Sequence, residues 1–128
     1  MTSTVVELVT RAKSEVENLT PEQVAQEAAE GAVLIDLREP TEVESVGMIE
    51  GAIHAPRGML EFYADPSSPY HRDEFDPTRR TILYCASGGR SALGSVALAE
   101  MGYTDVAHLD GGIKAWVAED RPLVTPTS

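Results

Sequence analysis

A single cysteine stands in this chain of 128 residues, and its neighbours are of the types that make a thiol reactive. The run is Thr81-Ile82-Leu83-Tyr84-Cys85-Ala86-Ser87-Gly88-Gly89-Arg90-Ser91. A free thiol ionises near about pH 8.5, and a helix N-terminus or a nearby cation favours the nucleophilic thiolate. Gly88 and Gly89 can take positive φ and turn successive amides inward as an anion-binding nest. Arg90 adds a permanent positive charge whose fork suits an oxyanion. Cys85 is therefore expected to be an activated nucleophile, with Ala86, Ser87, Gly88, Gly89, Arg90 and Ser91 as the substrate-binding loop around it. Burial as a small hydrophobe is the competing fate of a lone cysteine. A strand, Cys, Gly-Gly, Arg and a helix in succession favour chemistry.

The flanking elements support that placement. Thr81 to Tyr84 is β-branched, apolar or aromatic and reads as a short buried strand. Ser91-Ala92-Leu93-Gly94-Ser95-Val96-Ala97-Leu98-Ala99-Glu100-Met101 has helical spacing and ends at Gly102, a good helix stop. Cys85 thus sits at the carboxyl end of a strand, on a loop that opens a helix. In open α/β sheets that edge is where ligands bind, and the helix's free N–H groups favour an anion there.

The rest of the chain alternates similar pieces. Residues 1–19 read as an added helix, with Val5, Leu8, Val9, Ala12 and Val16 on one face and Thr4 and Glu7 at capping-box spacing. It is either an extra packing layer or a dimer contact. Thr20, Pro21 and Gln23 start a second helix that Gly31 stops. Val33-Leu34-Ile35-Asp36 is a continuous apolar run of the kind found in parallel strands buried on both faces. Pro40 can open a short helix through Val46, ended by Gly47. Asp36 and Arg38 are expected as supporting residues, paired beneath the loop or contacting ligand. Gly51-Ala52-Ile53-His54-Ala55-Pro56 holds another short strand, whose His54 is a candidate base or a structural histidine. Arg57 to Tyr63 suits a short helix. Residues 64–78 form a long loop whose Tyr63, Tyr70, His71 and Phe75 either rim the site or pack on themselves. Asp105-Val106-Ala107-His108-Leu109 reads as a further strand. A helix from Ile113 to Ala118 follows, with Trp116 in the core, and the tail from Asp120 is expected to fray. The sum is one small α/β domain, a mainly parallel sheet with helices on both faces.

A formal net charge of −11 argues against nucleic acid and anionic membranes as partners. It also requires local cations and amide dipoles to attract any anionic substrate. One cysteine excludes an intramolecular disulfide and a Cys-rich zinc motif, and the three histidines lack metal-ligand spacing with it. No phosphate-loop or dinucleotide glycine pattern occurs. Neither a secretory leader nor a run of transmembrane length is visible, so the expected compartment is a reducing cytoplasm.

Over residues 20–122 the chain resembles the single-domain rhodanese, or rhodanese-like sulfurtransferase, family. Three blocks carry the resemblance: Leu34 to Pro40 leading to Gly51-Ala52-Ile53-His54-Ala55-Pro56; Tyr84 to Ala92; and Leu109-Asp110-Gly111-Gly112-Ile113-Lys114-Ala115-Trp116. The resemblance places residues 1–19 as an N-terminal extension and 123–128 as a tail. It implies a loop cysteine that carries sulfur as a persulfide from a donor such as thiosulfate to a thiophilic acceptor, cyanide or a thiol, with no cofactor. A protein could stand at either end of that transfer. Ala86 occupies a position where thiosulfate-using members often carry a base, and Gly47-Met48-Ile49 replaces the common Gly-His-Ile. Two alternatives stand beside this reading. One is a sulfur carrier or sensor without turnover. The other is a phosphatase or arsenate reductase, which has five residues between Cys and Arg where this chain has only Ala86, Ser87, Gly88 and Gly89. Oligomeric state is open.

Overall fold

The computed structural model describes residues 2–126. Thr4 accepts from the Glu7 N–H and Glu7 reaches back to the Thr4 N–H, so the expected capping box starts α1, Val5–Glu15. The same reciprocal pair, Thr20 with Gln23, starts α2, Pro21–Ala29. Two central strands, β2 (Val33–Asp36) and β4 (Thr81–Tyr84), are buried at every position, as their uninterrupted apolar runs require. They are joined in one sheet by β1 (Glu17–Leu19), β3 (Ile53–His54) and β5 (Val106–Leu109), in the order β1-β5-β4-β2-β3. All four pairings are parallel.

Period-two alternation splits the core in two. Ile35, Leu37 and Leu83 pack against Leu60 and Leu98 on one face of the sheet. Those partners come from α4 (Leu60–Ala64), which follows a single 3-10 turn at Arg57–Met59, and from α5 (Gly89–Glu100). Leu34, Ile82 and Tyr84 pack on the other face, against Val24 of α2 and Trp116 of α6 (Gly112–Ala118). A third helix, α3 (Pro40–Val46), leaves the carboxyl end of β2, and α1 lies across α5. No helix of the described residues is long and apolar enough to cross a membrane.

Expectations are corrected at both chain ends. The first helix does not run to residue 19: it stops at Glu15, and Glu17–Leu19 becomes an edge strand on β5. The Asn18 side-chain amide donates to the Lys13 and Val16 carbonyls at 2.9 and 3.1 Å, satisfying acceptors that the ended helix leaves open. Val5 and Leu8, expected on the packed face, are exposed. At the other end the chain beyond Asp120 does not fray through its described part. Val124 and Met48 exchange both backbone hydrogen bonds, at 2.8 and 2.9 Å, and the Trp116 indole donates to the Pro122 carbonyl at 2.9 Å. Residues 127 and 128 of the expected tail lie outside the described residues.

Candidate active site

Cys85 directly follows β4 and shares its sheet face with Leu83, so its side chain turns toward α5. It is 1% exposed. The loop that leaves it is held from behind. Backbone N–H groups of Ile113 and Lys114, at the start of α6, donate to the carbonyls of Cys85 and Ala86 at 2.9 and 3.1 Å. That approach is so close that a Cβ on Gly112 would meet the Ala86 and Cys85 backbone at 2.5 to 2.6 Å. Gly88, with φ of 107°, caps α5 in the left-handed region and donates its N–H to Cys85 Sγ at 3.2 Å. Of the expected nest it is this amide that bonds the sulfur; Gly89 lies in the helix and keeps negative φ.

Ser91 Oγ lies 3.6 Å from the sulfur and accepts from the thiol, and the Arg90 guanidinium is near enough to Cys85 to interact with it. Ser91 Oγ lies 2.8 Å from His108 Nδ1, and His108 Nε2 lies 2.7 Å from Asn18 Oδ1. His108 is fully buried, and that desolvation pushes its pKa down to about 4.

Arg90, the permanent positive charge of the loop, is ion-paired with a carboxylate. Its Nη1 and Nη2 donate to Glu42 Oε1 and Oε2 at 2.6 and 2.9 Å, a bidentate pair from α5 to α3. The Arg90 hydrogen bonds pull the Glu42 carboxyl down to about pKa 2.

Asp36 and Arg38 form the buried ion pair, with Asp36 Oδ2 to Arg38 Nη2 at 2.7 Å and Oδ1 to Nε at 3.0 Å. Arg38 Nη2 also donates to the Gly47 carbonyl, and its guanidinium lies over the Tyr84 ring. The pair therefore ties the ends of α3 and β4 beneath the loop. His54 Nε2 lies 2.7 Å from the Arg38 carbonyl, a structural bond rather than a base on Cys85. The loop at 64–78 packs on itself: Phe75 is in the core against Tyr63, Tyr70 stacks edge-on against Phe62, and His71 Nδ1 bonds the Tyr63 carbonyl.

Beside the loop lies a cavity of about 600 Å3 between α3 and α6, walled by Glu42, Val46, Ala86, Ile113, Lys114 and Val117. Its rim exposes Val46 and Val117.

Sequence reasoning missed Glu42, His108 and Asn18. A polar side chain inside the apolar run Val106-Ala107-His108-Leu109 was the one available signal. The register Leu83↔His108 then puts that imidazole on the Cys85 face of the sheet.

A lone cysteine on a glycine loop between a central parallel strand and the head of a helix defines the class. The chain belongs to the rhodanese-like domain family, whose model matches residues 20–119. It is 33% identical over 113 residues to a sulfurtransferase of Allochromatium vinosum, covering 87% of this chain and 97% of that one. It is 30% identical over 106 residues to the thiosulfate sulfurtransferase GlpE of Pseudomonas entomophila, covering 80% and 86%. Among solved structures, a protein of unknown function from Rhodopseudomonas palustris, described as a possible tyrosine phosphatase, superposes with a TM-score of 0.90. It is 36% identical and covers 97% of this chain and 96% of its own.

Proposed function

We propose that the protein is a sulfurtransferase that carries a sulfane sulfur on Cys85, from a donor such as thiosulfate to a thiol acceptor. The observation that carries the reading is Cys85 Sγ held by the Gly88 N–H at 3.2 Å, at the head of α5. Cys85 thiolate attacks the outer sulfur of thiosulfate. The bond between the two thiosulfate sulfurs breaks and its electron pair leaves with sulfite, so the terminal sulfur of the new persulfide carries the negative charge. An acceptor thiolate or cyanide then attacks that terminal sulfur, and the electron pair returns to Cys85. The loop amides and the head of α5 supply positive potential throughout. The apolar walls of the adjoining cavity favour an acceptor thiol borne on an organic body over a bare ion. Relatives that are sulfurtransferases by name support the assignment.

A phosphatase reading is attached to one structural relative. Here only four residues, Ala86, Ser87, Gly88 and Gly89, separate Cys85 from Arg90, one fewer than the phosphatase pattern has. The test is intact mass after incubation with thiosulfate. One added sulfur atom is expected, removed by cyanide and absent from Cys85→Ala. Cys85-dependent hydrolysis of an aryl phosphate with no sulfur adduct would replace this reading with the phosphatase.

A further inference from the structure

Asn18 lies outside the stretch that matches the family, yet it is two side chains from Ser91, the residue on the sulfur. Its amide orientation is settled by its neighbours. Nδ2 donates to two carbonyls, Lys13 and Val16, so Oδ1 is the atom that faces His108. An amide oxygen only accepts. His108 Nε2 must therefore carry the hydrogen, which leaves Nδ1 bare, because burial keeps the ring neutral at ordinary pH. A bare Nδ1 at 2.8 Å takes the Ser91 hydroxyl hydrogen in preference to the Gly88 carbonyl at 3.3 Å. Ser91 then has only lone pairs to offer Cys85. Lone pairs accept from a thiol and repel a thiolate.

We propose that Asn18, acting through His108, turns the Ser91 hydrogen away from Cys85, so that Ser91 accepts from the Cys85 thiol and offers no hydrogen bond to the thiolate. Asn18 and His108 are positioning residues, and the inference rests on Cys85 being the nucleophile. It gives the N-terminal segment a part in the site. The same segment brings Lys13 to Asp110 at 2.9 Å and sets Lys13 Nζ and Val9 against Gly88 and Gly89 of the loop. The charged groups around the network are Arg90 of α5 with its partner Glu42 of α3 near Cys85, and Lys13 of α1 with Asp110 after β5 near His108. Asp36 and Arg38 stand behind the neighbouring Tyr84 and neutralise one another.

Asn18→Asp tests the idea. A carboxylate on Nε2 favours the imidazolium, whose Nδ1–H donates to Ser91 and turns the Ser91 hydrogen onto the sulfur. The measurement is the ultraviolet absorbance of the thiolate against pH, taken as the difference from Cys85→Ala. The expected result is a midpoint about one pH unit lower than in the parent, a tenfold gain in thiolate below it. The gain disappears when Ser91→Ala is added. Asn18→Ala removes the acceptor without adding charge and shifts the midpoint the same way by less. It decides the matter if Asn18→Asp melts early, and Asn18 is exposed enough to accept it. An unchanged midpoint in both variants overturns the proposal. A higher midpoint also overturns it. Thiolate absorbance needs no sulfur donor, so failure here is separate from failure to form the thiosulfate adduct.

Discussion

Arg90 and Glu42 meet fork to fork, with Nη1 to Oε1 at 2.6 Å and Nη2 to Oε2 at 2.9 Å, at the wall of the cavity beside Ala86. The loop's arginine is thereby paired with a carboxylate, in a chain whose net charge is already −11. Removing that carboxylate charge should help an anionic donor. Glu42→Gln is expected to lower the KM for thiosulfate by about threefold or more at low ionic strength, with the gain fading in roughly 0.5 M salt as screening sets in. Steady-state kinetics at two salt concentrations checks it. A KM that rises at both would show that Arg90 needs Glu42 to keep its place.

Gly112 admits no side chain. It has φ of 61°, and a Cβ there would press on the Cys85 carbonyl and the Ala86 backbone rather than on a movable side chain. Gly112→Ala should cost about 2 kcal/mol or more, since positive φ and a backbone clash act together. That corresponds to a fall in Tm of roughly 6 °C or more for a domain of this size. Sulfur loading should fall further than stability does, because the displaced atoms belong to the loop. Gly31→Ala, where nothing lies within 4 Å, is the control for φ alone.

Arg38 and Asp36 are 1% and 0% exposed, and the pair holds Gly47 and Tyr84 in place. Arg38→Met leaves the aspartate buried without its partner and is expected to cost about 3–5 kcal/mol in urea unfolding. Adding Asp36→Asn to that variant should recover part of the loss. A double variant as unstable as the sum of the single ones would mean the two side chains act independently.

His108 makes the fold sensitive to mild acid. Its folded pKa is depressed to about 4 by burial, below the ordinary histidine value near 6.5. Between those values the unfolded chain binds a proton that the folded one refuses, so stability falls as pH drops from about 6.5 to 4. Integrated over that window the loss reaches on the order of 3 kcal/mol. Urea unfolding at pH 7.5 and pH 5 should show the decline, and His108→Gln should flatten it whatever that variant does to stability at pH 7.5.

The architecture was legible because its signals are local. Continuous apolar runs marked β2 and β4, capping boxes marked the starts of α1 and α2, and a lone cysteine between a strand and a glycine turn marked the site. The strand at Glu17–Leu19 was not legible. It has three residues, only Leu19 buried, and no alternation long enough to register. The docking of Val124 on Met48 was hidden for a similar reason: one isolated bridge leaves no pattern in either segment.

From its own residues the chain determines that Cys85 stands at the carboxyl end of a parallel strand, with a glycine turn and a helix after it. Strand period, helix capping and the φ freedom of Gly88 act within a few residues of one another. What surrounds the sulfur was decided only by packing. Arg90 finds Glu42 across 48 positions, Ser91 finds His108 across 17, and His108 finds Asn18 across 90. Each pair exists because separate strands and helices are stacked against one sheet. A side chain's charge and hydrogens can be read from its identity, but which partner neutralises the one and receives the other depends on which elements the core brings together.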